Sequence, residues 1–238
     1  MKAAIIGYGK MGREIEKVLI ERGHEVTLKI DIDNSSDLNE QNLKDIDVAI
    51  EFTSPATAYA NVRKCLECGT AVVCGSTGWN DGVQELKEYC RANGGAFFYS
   101  SNYSVGMNVM FKLNKILAAI MNSQPEYNVS MEETHHIHKL DSPSGTAVTL
   151  AEGIMESVER KTSWVNQATD KADEIGIISY REGEVPGLHT VIYDSEADTL
   201  ELKHSAKSRR GLVLGAVLAA EFLQGKQGVF SMDDMLKF

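Results

Sequence analysis

Half of the six histidines in this 238-residue chain fall within four consecutive positions. They belong to the run Glu132-Glu-Thr-His135-His136-Ile-His138-Lys139-Leu-Asp141-Ser-Pro-Ser144-Gly145-Thr146-Ala147. If residues 127–138 are extended, alternation sends His135, Ile137 and Lys139 to one side and His136 and His138 to the other. Ser144-Gly145-Thr146 then opens a helix whose first amides have no intrahelical acceptor. A lysine, imidazoles and a helix start together make a receptor for carboxylate or phosphate. Three rings of a His-His-x-His strand cannot reach one ion without a turn, and no HExxH helix is present. The anion site is therefore preferred to a metal site, and no metal is expected.

A second constellation opens the chain. Gly7-Tyr8-Gly9-Lys10-Met11-Gly12 follows the apolar residues 3–6 and leads into an amphipathic helix over 11–22. In that setting GxGxxG is the pattern of a dinucleotide cradle. Gly7 allows the tight turn, Gly9 clears the pyrophosphate and Gly12 lets helix and strand pack closely. An acidic residue about 20 positions further on belongs with the adenosine ribose. Asp31 and Asp33 stand at the end of the second strand, and Asp31, directly after the apolar run, ranks first. A carboxylate there favours a ribose 2′-hydroxyl, whereas nearby Lys29 could tolerate a 2′-phosphate. NADH is thus favoured and NADPH stays open. Phe52-Thr53 and Gly75-Ser-Thr77-Gly78 end two further strands, the place where ligands gather in open α/β sheets.

These residues need elements to position them. Strands over 25–30, 48–52, 71–74 and 96–99 alternate with helices over 11–22, 55–68 and 83–92, which implies a parallel sheet covered on both faces. Ser54-Pro55 supplies a cap and a first-turn proline for the second helix. Residues 31–45 read as a polar, acidic loop. The rhythm changes near 102–105. Helices over 105–121, 144–158 and 212–223 then accompany strands over 177–181, 189–193 and 199–204, in α+β style with a mixed or antiparallel sheet. The expected fold is α/β: a Rossmann-type domain over 1–104, completed by 216–238, plus an α+β substrate and oligomerisation domain over 105–215.

Composition narrows the function classes. Hydrophobic residues are 43% and charged residues 24%, ordinary for a globular chain. The formal charge of −10 opposes nucleic-acid backbones, so no nucleic-acid partner is expected; a small anion responds to local charge instead. Four cysteines are too few for a disulfide scaffold. Cys65 and Cys68 form a CxxC without the second pair of a zinc ribbon, and read as two thiols on one helix. The chain opens directly on a strand and has no run approaching ~20 apolar residues. No membrane partner is expected, and the location reads as cytoplasmic.

With these motifs in place, the chain resembles the 4-hydroxy-tetrahydrodipicolinate (dihydrodipicolinate) reductase family of the diaminopimelate route to lysine, over nearly its whole length. The most specific motif is His135-His-x-His-Lys139-x-Asp-x-Pro-Ser-Gly-Thr-Ala147. Gly75-Ser-Thr-Gly78, Ser101-Asn102-Tyr103-Ser-Val-Gly-Met-Asn108, Arg181-Glu-Gly-Glu-Val-Pro-Gly-Leu-His189, His204-Ser-Ala-Lys-Ser-Arg209 and Gly228-Val-Phe-Ser-Met-Asp-Asp-Met-Leu236 accompany it in order. The resemblance implies reduction of a cyclic dicarboxylate by NADH or NADPH. It makes His135 and Lys139 the catalytic pair, with Lys139 the stronger candidate for proton donor. It assigns His136, Lys139, Gly145 and Thr146, beside the cap Ser144, to the substrate carboxylates. The cofactor would touch Gly7, Gly9, Lys10, Met11, Gly12, Asp31, Phe52, Gly75, Thr77, Ser101, Asn102 and Tyr103. It also implies a homotetramer built through the second domain. The glycine loop is one residue shorter than the family's GxxGxxG form, and the segment after the second strand is reduced. Another two-domain NAD(P)-dependent dehydrogenase shares the first half of this pattern but leaves the histidine signature unexplained. A non-catalytic NAD(H) sensor gives Lys139 no role, and a metal hydrolase using the histidine cluster is separated by chelator treatment and metal analysis.

Overall fold

The computed structural model describes all residues, Met1–Phe238. It divides into two units: Met1–Val105 with Arg210–Phe238, and Gly106–Arg209.

The first unit alternates β1 (Lys2–Ile6), α1 (Lys10–Glu21), β2 (Glu25–Ile30), α2 (Glu40–Leu43), β3 (Val48–Glu51), α3 (Pro55–Glu67), β4 (Ala71–Cys74), α4 (Asn80–Ala92) and β5 (Ala96–Tyr99). Apart from the edge strand β2, which alternates polar and apolar residues, its strands are short apolar runs, as a sheet buried on both faces requires. They lie in the order β11-β5-β4-β3-β1-β2 with every pairing parallel, where β11 is Gly228–Phe230. The chain leaves β1 towards β2 and then returns to β1's other side with β3. That reversal is the topological switch point of a Rossmann sheet. One sheet face packs Ile5, Ile50 and Phe98 against Ile15 and Leu19 of α1 and Val217 and Ala220 of α7 (Arg210–Leu223); the other packs Ile6, Val72 and Phe97 against Val62 and Leu86.

The second unit carries α5 (Val105–Met121), β6 (Asn128–His135), α6 (Gly145–Met155), β7 (Ser163–Val165), β8 (Glu174–Arg181), β9 (Leu188–Asp194) and β10 (Thr199–Ser205). The sheet order is β10-β9-β6-β8-β7. β6 is antiparallel to β9 and parallel to β8, so the sheet is mixed. Met107, Met110 and Ala118 of α5 and Leu150 and Ile154 of α6 pack with Val129, Met131, Ile177 and Val191.

Three expectations are revised, and three short elements are added. The first unit resumes at Arg210 instead of 216, because α7 is one continuous helix that contributes its apolar residues to that unit's core. The polar segment 31–45 is not an open loop: it forms a 3-10 turn, Ile32–Asp37, and α2, each capped by a polar side chain at its start. β6 stops at His135, so 136–139 are not extended. The His136 carbonyl accepts from the Lys139 amide in a turn at 3.1 Å. Finally β7, β11 and α8 (Met232–Leu236) are elements of three to five residues, too short to show a period.

Candidate active site

Side chains 129, 131, 133 and 135 of β6 alternate onto one face and are all buried. The first two are hydrocarbon and join the core; the last two are Glu133 and His135. Glu133 is only 1% exposed. Strand register brings its partners: Glu133 stands opposite His189 of β9, and His135 opposite Arg181 of β8. Arg181 donates from Nη2 to Glu133 Oε1 at 3.1 Å, and the Ser144 amide donates to the same oxygen at 3.0 Å. His135 Nδ1 lies 3.2 Å from Oε2 and His189 Nε2 3.7 Å from it, both within ion-pair range but without an aligned hydrogen bond. Burial alone would raise the Glu133 pKa. The polar contacts from His135 and Ser144 outweigh it and hold the carboxyl well below the usual carboxylate range. Glu133 is therefore a buried anion among buried donors.

That anion shapes the signature loop. The Ser144 hydroxyl accepts from the Ala147 amide at 3.2 Å, which caps α6, and lies 3.2 Å from His189 Nε2. No acidic side chain occupies the first turn of α6. Gly145 is exposed and Thr146 half-buried, so the helix start is open to an anion. Arg181 also donates to the Asp141 carbonyl at 2.6 Å, which ties the turn carrying Lys139 to the same hub. The Lys139 ammonium bonds the Asp141 carboxylate at 2.8 Å. Burial pushes the Asp141 pKa up, but Lys139 and the Gly145 amide bring it below its ordinary value. His136 is half-buried, with its Nδ1 buried and unpartnered, and its ring lies 6.0 Å from that of His138. His138 points to solvent beside Glu184.

Ligating atoms of Glu133, His135 and His189 lie within 4.8 Å of one another, a geometry that a metal ion could use. Arg181 supplies a compensating positive charge on this carboxylate, so its charge is offset by the protein itself. The sequence signature contained Glu133, Arg181 and His189, yet no role attached to them. Their common signal is the second motif, Arg181–His189, whose ends fold onto β6 from 46 or more positions away in the chain.

The dinucleotide signature lies in the first unit. Gly7 has φ +94°, and a Cβ on it would sit 2.0 Å from the Phe52 carbonyl oxygen. The ends of β1 and β3 thus meet at the switch point. A Cβ on Gly9 would meet nothing within 4 Å, which leaves a clear approach to the start of α1. That start has no side-chain cap and no acid in its first turn. Exposed Lys10 and half-buried Met11 flank it, so the cradle fits a pyrophosphate. Gly75 lies against the Phe52 ring, and Thr77 is exposed beyond it. Glu51, wholly buried at the end of β3, was not anticipated as a site residue. It accepts from Thr53 N and Ser76 Oγ at 3.1 Å and from Cys74 Sγ at 2.9 Å, which fixes both strand-end turns. Asp31 and Asp33 are exposed, and Asp31 accepts from the Ile32 amide. Ser101 is exposed and Asn102 half-buried. The Tyr103 side chain is a correction: the residue is 2% exposed, its hydroxyl donates to the Cys74 carbonyl at 2.7 Å, and its own carbonyl packs against Gly215, so it braces the core behind the site. Cys65 and Cys68 are free thiols at the end of α3.

Sequence profiles of dihydrodipicolinate reductase match both parts of the chain: the N-terminus over residues 1–103 and the C-terminus over residues 106–236. The chain belongs to the dihydrodipicolinate reductase family. Within it, the 4-hydroxy-tetrahydrodipicolinate reductase of Christiangramia forsetii is 46% identical, covering 99% of this chain and 98% of that one. The enzyme of the same name from Methanococcus vannielii is 33% identical, again covering 99% and 98%. Among solved structures, a dipicolinate-bound dihydrodipicolinate reductase from Paenisporosarcina sp. TG-14 shares the fold with TM-score 0.79 at 21% identity, covering 97% of each chain. An engineered D-amino acid dehydrogenase bound to NADP+ shares it more distantly, with TM-score 0.55 at 16% identity over 98% and 93%.

Burial lowers the His189 pKa from 6.5 to about 4, aided by the nearby His135 ring. Between these values the unfolded chain binds a proton that the folded chain refuses, so stability falls as pH drops through that window. The shift corresponds to roughly 3 kcal/mol at full extent. Urea unfolding from pH 7 to pH 4.5 is expected to show this loss. His189→Gln should flatten the dependence in that window; an unchanged slope would assign the loss to other groups.

Proposed function

We propose that this chain reduces 4-hydroxy-tetrahydrodipicolinate to tetrahydrodipicolinate in the diaminopimelate route to lysine. The observation that carries this reading is the pairing of Lys139 with the open start of α6, both held by the Glu133–Arg181 hub, in a member of this family. A nicotinamide dinucleotide, NADH or NADPH, supplies the hydride when bound to the cradle of the first unit. In the net change the substrate loses its 4-hydroxyl as water, one ring carbon gains the hydride, and a proton arrives at another ring atom.

The protein's part is charge neutralisation, orientation and proton delivery. The Gly145 and Thr146 amides and the Thr146 hydroxyl receive one substrate carboxylate, with His136 beside them. This carboxylate competes with Asp141 for the same donors, so binding frees the Lys139 ammonium to give its proton to the ring. His135, oriented by Glu133, holds the substrate against that transfer. The dipicolinate bound by the Paenisporosarcina protein is a planar dicarboxylate of this class. We further read the second unit as the assembly unit of a homotetramer. Its helices cover one sheet face, and Ile178, Tyr180 and Ile192 stand on the other, half-buried or exposed. No helix is long and apolar enough to cross a membrane, and the free thiols suit a cytoplasmic location.

A positioned acid contributes about 100–10,000-fold to rate. Lys139→Met should therefore lower kcat by a factor in that range while the dinucleotide Kd changes little; an unaltered kcat would contradict the assignment. Thr146→Val is expected to raise the substrate KM more than it lowers kcat. Pyridine-2,6-dicarboxylate should inhibit competitively with the substrate in steady-state assays, and its failure to inhibit would remove the dicarboxylate class.

A further inference from the structure

The adenosine end of the cradle carries a charge arrangement with a consequence for cofactor choice. Tyr8 stands between the first two glycines of the loop. Lys29 and Asp31 are alternate residues at the end of β2, where an acid receives a ribose 2′-hydroxyl and a cation accommodates a 2′-phosphate. Lys29, two residues before Asp31, is the candidate for that cation, but its ammonium is bound at 2.6 Å to Glu16 Oε1 on α1. The same ammonium lies 5.0 Å from the Tyr8 ring centroid, and the Tyr8 hydroxyl donates to Glu16 Oε2. The Glu16 side chain is 18% exposed, less than half the exposure of Lys29. Arg13 lies 5.8 Å from the other contacts' shared ring, and Asp31 and Asp33 are exposed at the rim.

We propose that Glu16 is a specificity-determining residue: by engaging Lys29 it withholds the cation a 2′-phosphate needs, and so tilts the cradle towards NADH. This rests on the dinucleotide reading of the first unit given above. The contact reinforces both charges: the hydrogen bond from Lys29 lowers the Glu16 pKa, and the same bond raises that of Lys29. With Glu16 in place, a 2′-phosphate would face the Asp31 carboxylate and find Lys29 already neutralised. Arg13 remains, so NADPH is weakened and not refused. Glu16 has no reason to touch the dinucleotide; it acts through Lys29.

The test is calorimetric titration of the full-length protein with NADH and with NADPH, without substrate. The unaltered protein is expected to bind NADH more tightly. Glu16→Gln should lower the ratio of the NADPH to the NADH Kd about tenfold, the scale of one charge-assisted contact to phosphate. Glu16→Ala, which frees Lys29 equally, should give the same shift, so the result does not hang on one variant. Adding Lys29→Met to Glu16→Gln should return the ratio to near its starting value. A ratio that moves less than twofold in both single variants overturns the proposal, as does a shift that persists in the double variant. Tighter NADPH than NADH in the unaltered protein overturns it too. Binding of neither dinucleotide would instead overturn the reading of the cradle itself.

Discussion

A carboxylate buried away from water must be surrounded by donors, because its desolvation costs several kcal/mol. Glu133 imposes that requirement on the second unit. Its Oε1 accepts from Arg181 of β8 and from the Ser144 amide at the start of α6, and His189 of β9 lies 3.7 Å from Oε2, so one side chain gathers three elements around the end of β6. The donors have further contacts. Arg181 also holds the Asp141 carbonyl, and with it the turn that presents Lys139. Ser144, whose amide serves Glu133, caps α6 through its hydroxyl, and the next amide, that of Gly145, is engaged by the Asp141 carboxylate. The loop proposed to receive a dicarboxylate is thereby shaped from beneath by an anion of the protein's own.

The first unit uses the same device. Glu51, buried at the end of β3, takes hydrogen bonds from Thr53, Ser76 and Cys74 and so joins two strand-end turns at the switch point. Close backbone approach completes that edge, since Gly7 leaves no room for a side chain against the Phe52 carbonyl. In each unit the candidate-site loops are exposed while the group that orders them is not.

The architecture of the first unit is legible in the sequence because each apolar run ends in a glycine or a cap, and the helices between them show their period. The long helices α5 and α7 are legible for the same reason. β7 and β11 are not, since three residues carry no alternation. The turn after His135 was hidden by the β-like run of histidines. It forms because Glu182 N bonds the His135 carbonyl and Ile137 N the Gly183 carbonyl, contacts made across the sheet to the loop after β8. The signature histidines and Lys139 could be read from type and spacing. Glu133 could not, because an acid preceding a histidine run gives no sign of burial. Its meaning appears only when the register sets His189 and Ser179 on either side of it. Tyr103 misled in the opposite direction: it stands in a motif of polar, exposed neighbours, yet its ring completes the core.

Whether the Glu133 anion positions the loop proposed to receive substrate is tested by Glu133→Gln, which keeps the shape and removes the charge. Substrate kinetics and dinucleotide Kd measured on the same preparation separate the two units. Loss of the charge should lower kcat/KM for the dicarboxylate at least about tenfold, with the dinucleotide Kd within twofold of the unaltered protein. An unchanged kcat/KM would show that the loop is shaped by something other than this buried charge.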